Sequence, residues 1–344
     1  MPTDKLRFDQ YFCLLFCLIL ILISGSLATQ QWQQQAADVI QVTLLKPHKS
    51  ISVDAQALAA EAETEGTTEI PQEASSSAAL NSNKQLIDSP QQQITAQAYY
   101  ILDLNSHSQL LAKNENTPLY PASTTKLMTA LVARQQYKTH QVITAGQEAK
   151  TSGHIVGIAP GECLSVKSLL AAILINSGND AAMILAEHHP FGYEGFIQDM
   201  NALAEKLTLS QTHFQNPMGF DDPQQQMSAR DLAILSAEVY KDSLLAQMTN
   251  TEQMQITDLT GKVNHELINT NVLLAEENIH GLKTGTTDLA GEVLVTVWNY
   301  QEQENQEQPI LIVVMNSQDR YADTKLLIQN LQQSLRLSEF DVLN

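Results

Sequence analysis

Strand-like stretches stand near both ends of the globular part of this chain, and only helix-like stretches lie between them. Residues 98–103 and 109–112 are apolar runs flanking the turn formers Asn105, Ser106 and Ser108, the pattern of a hairpin. Strand patterns return only at residues 292–298 and 309–315. In between, Pro121 marks a helix start, and Leu127, Met128, Leu131 and Val132 repeat at helical spacing. Residues 166–175 and 180–188 are apolar with the same period, broken apart by Ser177 and Gly178. Phe196, Met200, Leu203, Ala204 and Leu207 make a third helical face. Ser228 and Asp231 have the spacing of a capping box ahead of residues 232–240, and a polar loop region is expected after them. A last helix is expected over residues 322–335. The distant strand segments must therefore share one sheet, with the helices inserted as a subdomain, in a mixed α/β (α+β) fold.

The preceding residues read differently. Lys5 and Arg7 precede an apolar run over residues 11–23, and Ser26-Leu27-Ala28 places small residues where a signal peptidase reads. Residues 1–28 are thus expected to be a signal peptide or an N-terminal membrane anchor, with residues 11–28 as the tether if it is retained. Residues 29–93 are rich in Gln, Ser, Glu, Ala and Thr and cannot bury enough apolar surface to offset chain entropy, so they read as a disordered linker. Residues 94–344 are expected to form the globular domain that would carry any catalysis. Its location is expected to be extracytoplasmic, in a periplasm or at a cell surface.

A net charge of −19 argues against a nucleic-acid partner, because phosphate backbones are held by clustered Lys and Arg. Cys13 and Cys17 fall in the apolar segment, which leaves Cys163 alone, a small half-buried residue without a disulfide partner.

Three short strings carry the chemistry: Ser123-Thr124-Thr125-Lys126, then Ser177-Gly178-Asn179, then Lys283-Thr284-Gly285. Alone, each has a plain reading as a helix cap with a solvent-facing lysine, a turn, or a hairpin turn. Lys-Thr-Gly arises by chance in roughly one chain in ten of this size, and the ordered set is far rarer. Residues three apart share a helix face, so Ser123 and Lys126 project into one space, with Ser123 in the first helical turn where free N–H groups favour anionic oxygen. Lys126 can serve as a base if burial or a cationic neighbour such as Lys283 depresses its pKa. Ser177 can relay a proton between Lys126 and a leaving nitrogen, and the Asn179 amide can hold a substrate amide. Lys283 and Thr284 can bind a carboxylate, and Gly285 lets a ligand backbone lie close to the chain.

These strings, with their flanks Tyr120-Pro121-Ala122 and Asn176 to Ala182, and with Phe214-Gln215-Asn216-Pro217-Met218-Gly219-Phe220-Asp221, resemble the low-molecular-mass D-alanyl-D-alanine carboxypeptidases, penicillin-binding proteins with SxxK, SxN and KTG motifs. The resemblance covers about residue 96 to the C-terminus. It implies a β-lactamase/DD-peptidase-like fold, an antiparallel five-stranded sheet flanked by helices plus an all-helical subdomain. It also implies Ser123 as acylated nucleophile, Lys126 as base, Ser177 as proton shuttle and Asn179 as a substrate-binding residue. The backbone N–H groups of Ser123 and Thr286 would form the oxyanion hole. Arg320 matches the place where relatives keep an arginine for the substrate carboxylate. The implied partners are peptidoglycan stem peptides ending in D-Ala-D-Ala and β-lactam inhibitors, with no cofactor or metal.

The sequence departs from the pattern at Thr286, a position often His or Tyr in relatives. Many relatives also add a C-terminal β-domain and amphipathic helix, so anchoring here is expected from the N-terminal segment. The alternatives are an endopeptidase or a β-lactamase of the same fold, and a non-catalytic wall-binding or β-lactam-sensing module. No Glu between Asn179 and Lys283 stands out as the water-positioning group of a β-lactamase, and neither His-Glu-x-x-His nor Gly-x-Ser-x-Gly occurs.

Overall fold

The hydrophobic alternation of the terminal strands resolves into one sheet with a core on each face. A computed structural model describes residues 94–303 and 306–342, so the readings of residues 1–28 and 29–93 lie outside the described residues. Strands β1 (Ala98–Asp103) and β2 (Gln109–Lys113) form the expected hairpin. Strands β7 (Ile279–Thr287), β8 (Gly291–Gln303) and β9 (Gln306–Ser317) complete an antiparallel sheet in the order β2-β1-β9-β8-β7. β1 pairs directly with β9, Ala98 opposite Met315 and Asp103 opposite Ile310.

Successive side chains leave a strand on opposite faces. Ala98, Tyr100, Leu102, Val293, Val295, Val297, Leu311, Val313 and Met315 accordingly enter the core shared with the helical subdomain. Tyr99, Ile101, Leu294, Trp298, Ile310, Ile312 and Val314 form the other core with Leu327, Ile328 and Leu331 of the C-terminal helix. That helix spans Arg320–Val342, longer at both ends than the expected 322–335.

The helical subdomain fills the chain between β2 and β7. It contains α1 (Lys126–Gln136), the short pair β3 (Val142–Thr144) and β4 (Cys163–Ser165), α2 (Val166–Leu174), α3 (Asn179–Glu187), α4 (Gly192–Lys206), α5 (Ala229–Lys241) and α6 (Ser243–Thr249). The C-terminal helix is α7. The region expected as polar loop after Tyr240 instead holds α6 and a two-stranded hairpin, β5 (Gln253–Thr257) with β6 (Asn264–Ile268). Exposed glutamines and threonines alternate there with single buried residues such as Ile256 and Leu267, too few to register as an apolar run. Cys163 is buried rather than half-buried, with Sγ 3.3 Å from Thr144 Oγ1.

The capping box is only half formed. Ser228 Oγ accepts from the Asp231 N–H at 3.1 Å, as an N-cap should. The Asp231 carboxylate turns the other way, accepting from Gln211 N at 2.7 Å and Thr212 Oγ1 at 2.9 Å. Among the described residues, no helix is long and apolar enough to cross a membrane.

A second buried carboxylate closes the sheet. Asp323, in the first turn of α7, accepts from Thr95 N (2.9 Å), Thr95 Oγ1 (2.8 Å), Ala96 N (2.8 Å) and Ser317 Oγ (2.6 Å), tying the start of the described chain to its last strand. Asp323→Ala removes the acceptor of four hydrogen bonds, two of them from main-chain N–H groups, and the variant is expected to lose about 2–4 kcal/mol in urea unfolding followed by circular dichroism.

Candidate active site

Ser123 does not sit in an α-helical turn as the sequence suggested. It lies in a 3-10 turn, Ala122–Thr125, that feeds directly into α1, and Ala122 is held at a φ of +47°. The tight turn still places residues three apart on one side. Lys126 Nζ is 2.9 Å from Ser123 Oγ, and it donates to the Met218 carbonyl at 2.7 Å. Lys126 is wholly buried. Burial pushes its pKa well below the ordinary lysine value, the Lys283 charge pushes the same way, and Asp180 opposes them. A neutral amine keeps N–H donors for Met218 and one lone pair for the serine proton.

Lys283, Thr284 and Gly285 are not in a turn before a strand but inside β7, the edge strand. Two glycines and five polar residues among nine hid that strand from periodicity. The register explains how this edge serves the site. Gly281 pairs with Thr296 and Lys283 with Val295, so Leu282 is an extra residue, a β-bulge. Ile279, opposite Trp298, faces the α7 side. Unbroken alternation would put Lys283 there too, whereas the bulge pairs Lys283 with Val295 and Gly285 with Val293, on the helical-subdomain side.

Lys283 is buried, and its Nζ donates to the Thr284 carbonyl at 3.2 Å. Burial first, and the Arg320 guanidinium second, hold its pKa down to about 7. Thr284, at the alternate position, shares a 2.5 Å hydrogen bond between its hydroxyl and that of Thr270. A ligand carboxylate would have to share that hydroxyl with Thr270.

Gly285 has a use other than the one read from sequence. A Cβ built there would lie 2.9 Å from Ala122 Cβ, 3.0 Å from Ser123 N and 3.1 Å from Pro121 O. Its missing side chain therefore admits the serine-bearing turn.

Ser177 is buried between α2 and α3 at a φ of +61°. Asn179 opens α3, and its Nδ2 donates to the Ser152 carbonyl at 2.8 Å, which leaves Oδ1 as the end free of that contact. Gly153 follows Ser152 at a φ of +80°, packed between Asn179 Nδ2 and the Phe220 ring. His154 next to it accepts through its carbonyl from Asn179 N at 2.8 Å. Partial burial, then Lys283 and Lys126, hold the His154 imidazole below its ordinary value.

Arg320 reaches the same strand from α7. Its Nη1 donates to the Gly285 carbonyl at 2.8 Å and to Thr286 Oγ1 at 2.7 Å, while Glu292 Oε2 accepts from Arg320 N at 3.0 Å. The arginine thus stands beside Lys283-Thr284-Gly285.

Three residues to which the sequence assigned no role complete the arrangement. Asn216 Oδ1 accepts from the backbone N–H groups of Gly219 (2.8 Å) and Phe220 (2.9 Å), shaping the loop that presents the Met218 carbonyl. Gly219, at a φ of +89°, comes so close to the Ser123 turn that a Cβ would lie 1.9 Å from Ala122 O. Asp180 accepts from the N–H groups of Val156, Gly157, Ile158 and Ala181, fixing the wall around His154. The Asn-Pro and Met-Gly pairs at 216–219 are turn signals, the only local hint of that loop's shape.

A lysine-paired serine between a sheet edge and a helical subdomain defines the serine-peptidase class that builds on this fold. The chain belongs to the D-alanyl-D-alanine carboxypeptidase family, which matches residues 84–319. Its relatives include D-alanyl-D-alanine carboxypeptidase DacA of Haemophilus influenzae, 36% identical over 216 residues, 59% of this chain and 53% of that protein. D-alanyl-D-alanine endopeptidase of Escherichia coli is 31% identical over 238 residues, 67% of this chain and 74% of that one. The solved structure of penicillin binding protein 5 from Haemophilus influenzae superposes with a TM-score of 0.63 at 30% identity, over 70% of this chain and 72% of that one. The five-stranded sheet and helical subdomain implied by the resemblance are both present. The chain spans about half the length of the carboxypeptidase relatives it matches first, 53% and 55%.

Gly219→Ala would drive a methyl group into the Ala122 carbonyl and displace Ser123. Acylation by a fluorescent penicillin is expected to fall more than about a hundredfold, with the far-ultraviolet circular dichroism spectrum kept.

Proposed function

We propose that this protein is a serine D-alanyl-D-alanine carboxypeptidase that trims peptidoglycan stem peptides outside the cytoplasm. The observation that carries the reading is the wholly buried Lys126 amine, 2.9 Å from the Ser123 hydroxyl and depressed in pKa. Lys126 takes the hydroxyl proton as Ser123 Oγ attacks the carbonyl of the penultimate D-alanine. The N–H groups of Ser123 and Thr286 receive the developing oxyanion. As the tetrahedral intermediate collapses, the proton passes through Ser177 to the leaving nitrogen and terminal D-alanine departs. Water then attacks the acyl-enzyme, Lys126 again taking the proton, and the shortened peptide leaves with Ser123 restored.

Lys283, Thr284 and Arg320 hold the terminal carboxylate in this reading, and Asn179 Oδ1 accepts from a substrate amide N–H. A β-lactam places its strained amide where the peptide bond would sit, so it acylates Ser123 and blocks the site. An endopeptidase is the second reading, supported by the 74% of the Escherichia coli endopeptidase that the chain covers. The N-terminal export segment would deliver the protein to the wall and the linker would give it reach.

Ser123→Ala is expected to abolish labelling by a fluorescent penicillin and D-alanine release from a pentapeptide, and Lys126→Ala to slow acylation about a hundredfold or more. Equal labelling of the wild type and Ser123→Ala would overturn the reading. Release of D-alanine from a monomeric pentapeptide, against cleavage of a cross-linked dimer, separates carboxypeptidase from endopeptidase.

The pH profile follows from the two lysines. Lys126 must be neutral to act, so activity rises with pH through its depressed pKa. Lys283 is charged below about 7 and loses its proton above it, so carboxylate binding weakens as pH climbs through that value. The alkaline limb of kcat/KM is therefore expected near pH 7 for a peptide acid, and to shift upward in Lys283→Arg, whose guanidinium stays charged. An alkaline limb that stays in place in that variant would remove Lys283 from carboxylate binding.

A further inference from the structure

The loop over residues 216–221 meets every wall of the site, and its last contact has no part in the chemistry assigned above. Thr287 Oγ1 donates to Asp221 Oδ1 at 2.7 Å and accepts from Ala290 N at 3.0 Å. The hydroxyl's one proton is thus held by Asp221, and its oxygen anchors the turn between β7 and β8. Thr287 is the last residue of β7 and follows Thr286; it pairs with Gly291, which takes a φ of +60°. On the other wall, Asp221 follows Phe220, and the same loop seats the Ser123 turn through Gly219 and holds Lys126 through the Met218 carbonyl.

This hydrogen bond therefore links the loop that seats the Ser123 turn to the end of the sheet edge. Arg320 restrains Thr286 from the α7 side through Thr286 Oγ1, and Asp221 restrains the next residue from the opposite side. The Ser123 N–H and the Thr286 N–H are borne by elements that these two restraints hold at a fixed separation. Oxyanion stabilisation depends on donor placement to fractions of an ångström, so a contact that sets this gap acts on the transition state more than on substrate binding.

We propose that Asp221 and Thr287 form a clasp between that loop and the sheet edge, positioning residues that set the spacing of the two oxyanion donors. The inference rests on the acyl-enzyme chemistry proposed above. Both side chains lie at the surface or half-buried, so substitution leaves the two cores intact. The test uses the full chain and compares Asp221→Ala, Thr287→Val and the double variant. It measures the acylation rate with a fluorescent penicillin, and kcat and KM for D-alanine release. Each single variant is expected to acylate about tenfold more slowly and to lose kcat with KM changed less than about twofold. The double variant should be no slower than Thr287→Val, which already removes the shared bond together with the Ala290 contact. Asp221→Asn keeps an accepting oxygen and should recover most of the rate, and Thr287→Ser likewise. Single variants as fast as the wild type, effects that multiply in the double variant, or Asp221→Asn as slow as Asp221→Ala would each overturn the clasp. An unlabelled wild type would overturn the acyl-enzyme reading and the clasp with it; a labelled wild type with unaltered variants overturns the clasp alone.

Discussion

An amine held away from water governs this architecture. Lys126 cannot stay charged at low cost where it is, since a buried ammonium loses its hydration and here also faces the charge of Lys283. Burial and that neighbouring charge both press the amine toward its neutral form. Met218 supplies a carbonyl that accepts from the amine, and the serine hydroxyl lies within hydrogen-bond distance of it. Asp180, which opposes the shift, has its oxygens taken by four backbone N–H groups of the neighbouring wall. Its charge therefore holds a loop in shape as well as acting on the lysine.

That arrangement demands close approach of main chain to main chain. The Ser123 turn is gripped between Gly285 on the sheet edge and Gly219 on the loop opposite, and neither position has room for a methyl group. The bulge at Leu282 is equally necessary, because it brings Lys283 and Gly285 round to the face where the turn lies. Helical subdomain and sheet thus meet at the site through backbone contacts, which hold geometry more tightly than long side chains do.

Much of this was readable from the amino-acid order, for identifiable reasons. β1, β8 and β9 carry strong apolar patterns because they are covered on both faces, and α2, α3 and α4 show clean helical periods because one face of each meets the core. Ser123, Lys126 and Lys283 were legible as a set since each belongs to a short string whose spacing has chemical meaning. β7 was not, because the residues that make it functional are those that spoil a strand pattern. The hairpin of β5 and β6 escaped for want of apolar residues. Gly285 was read correctly as a point of close approach, but sequence could not say that the approaching chain is the protein's own. Met218, Gly219 and Asp180 act through carbonyl position, absent side chain and backbone capping, none of which has a periodic signature.

The pairing of β1 with β9 has a consequence for how the chain reaches its native state. Ribosomal synthesis delivers β1 long before β9, and both faces of β1 are apolar. Until the last strand emerges, the first has only β2 beside it, and its other edge offers unpaired N–H and C=O groups to any neighbouring chain. A nascent polypeptide of this design carries an open, apolar strand edge throughout most of its own elongation.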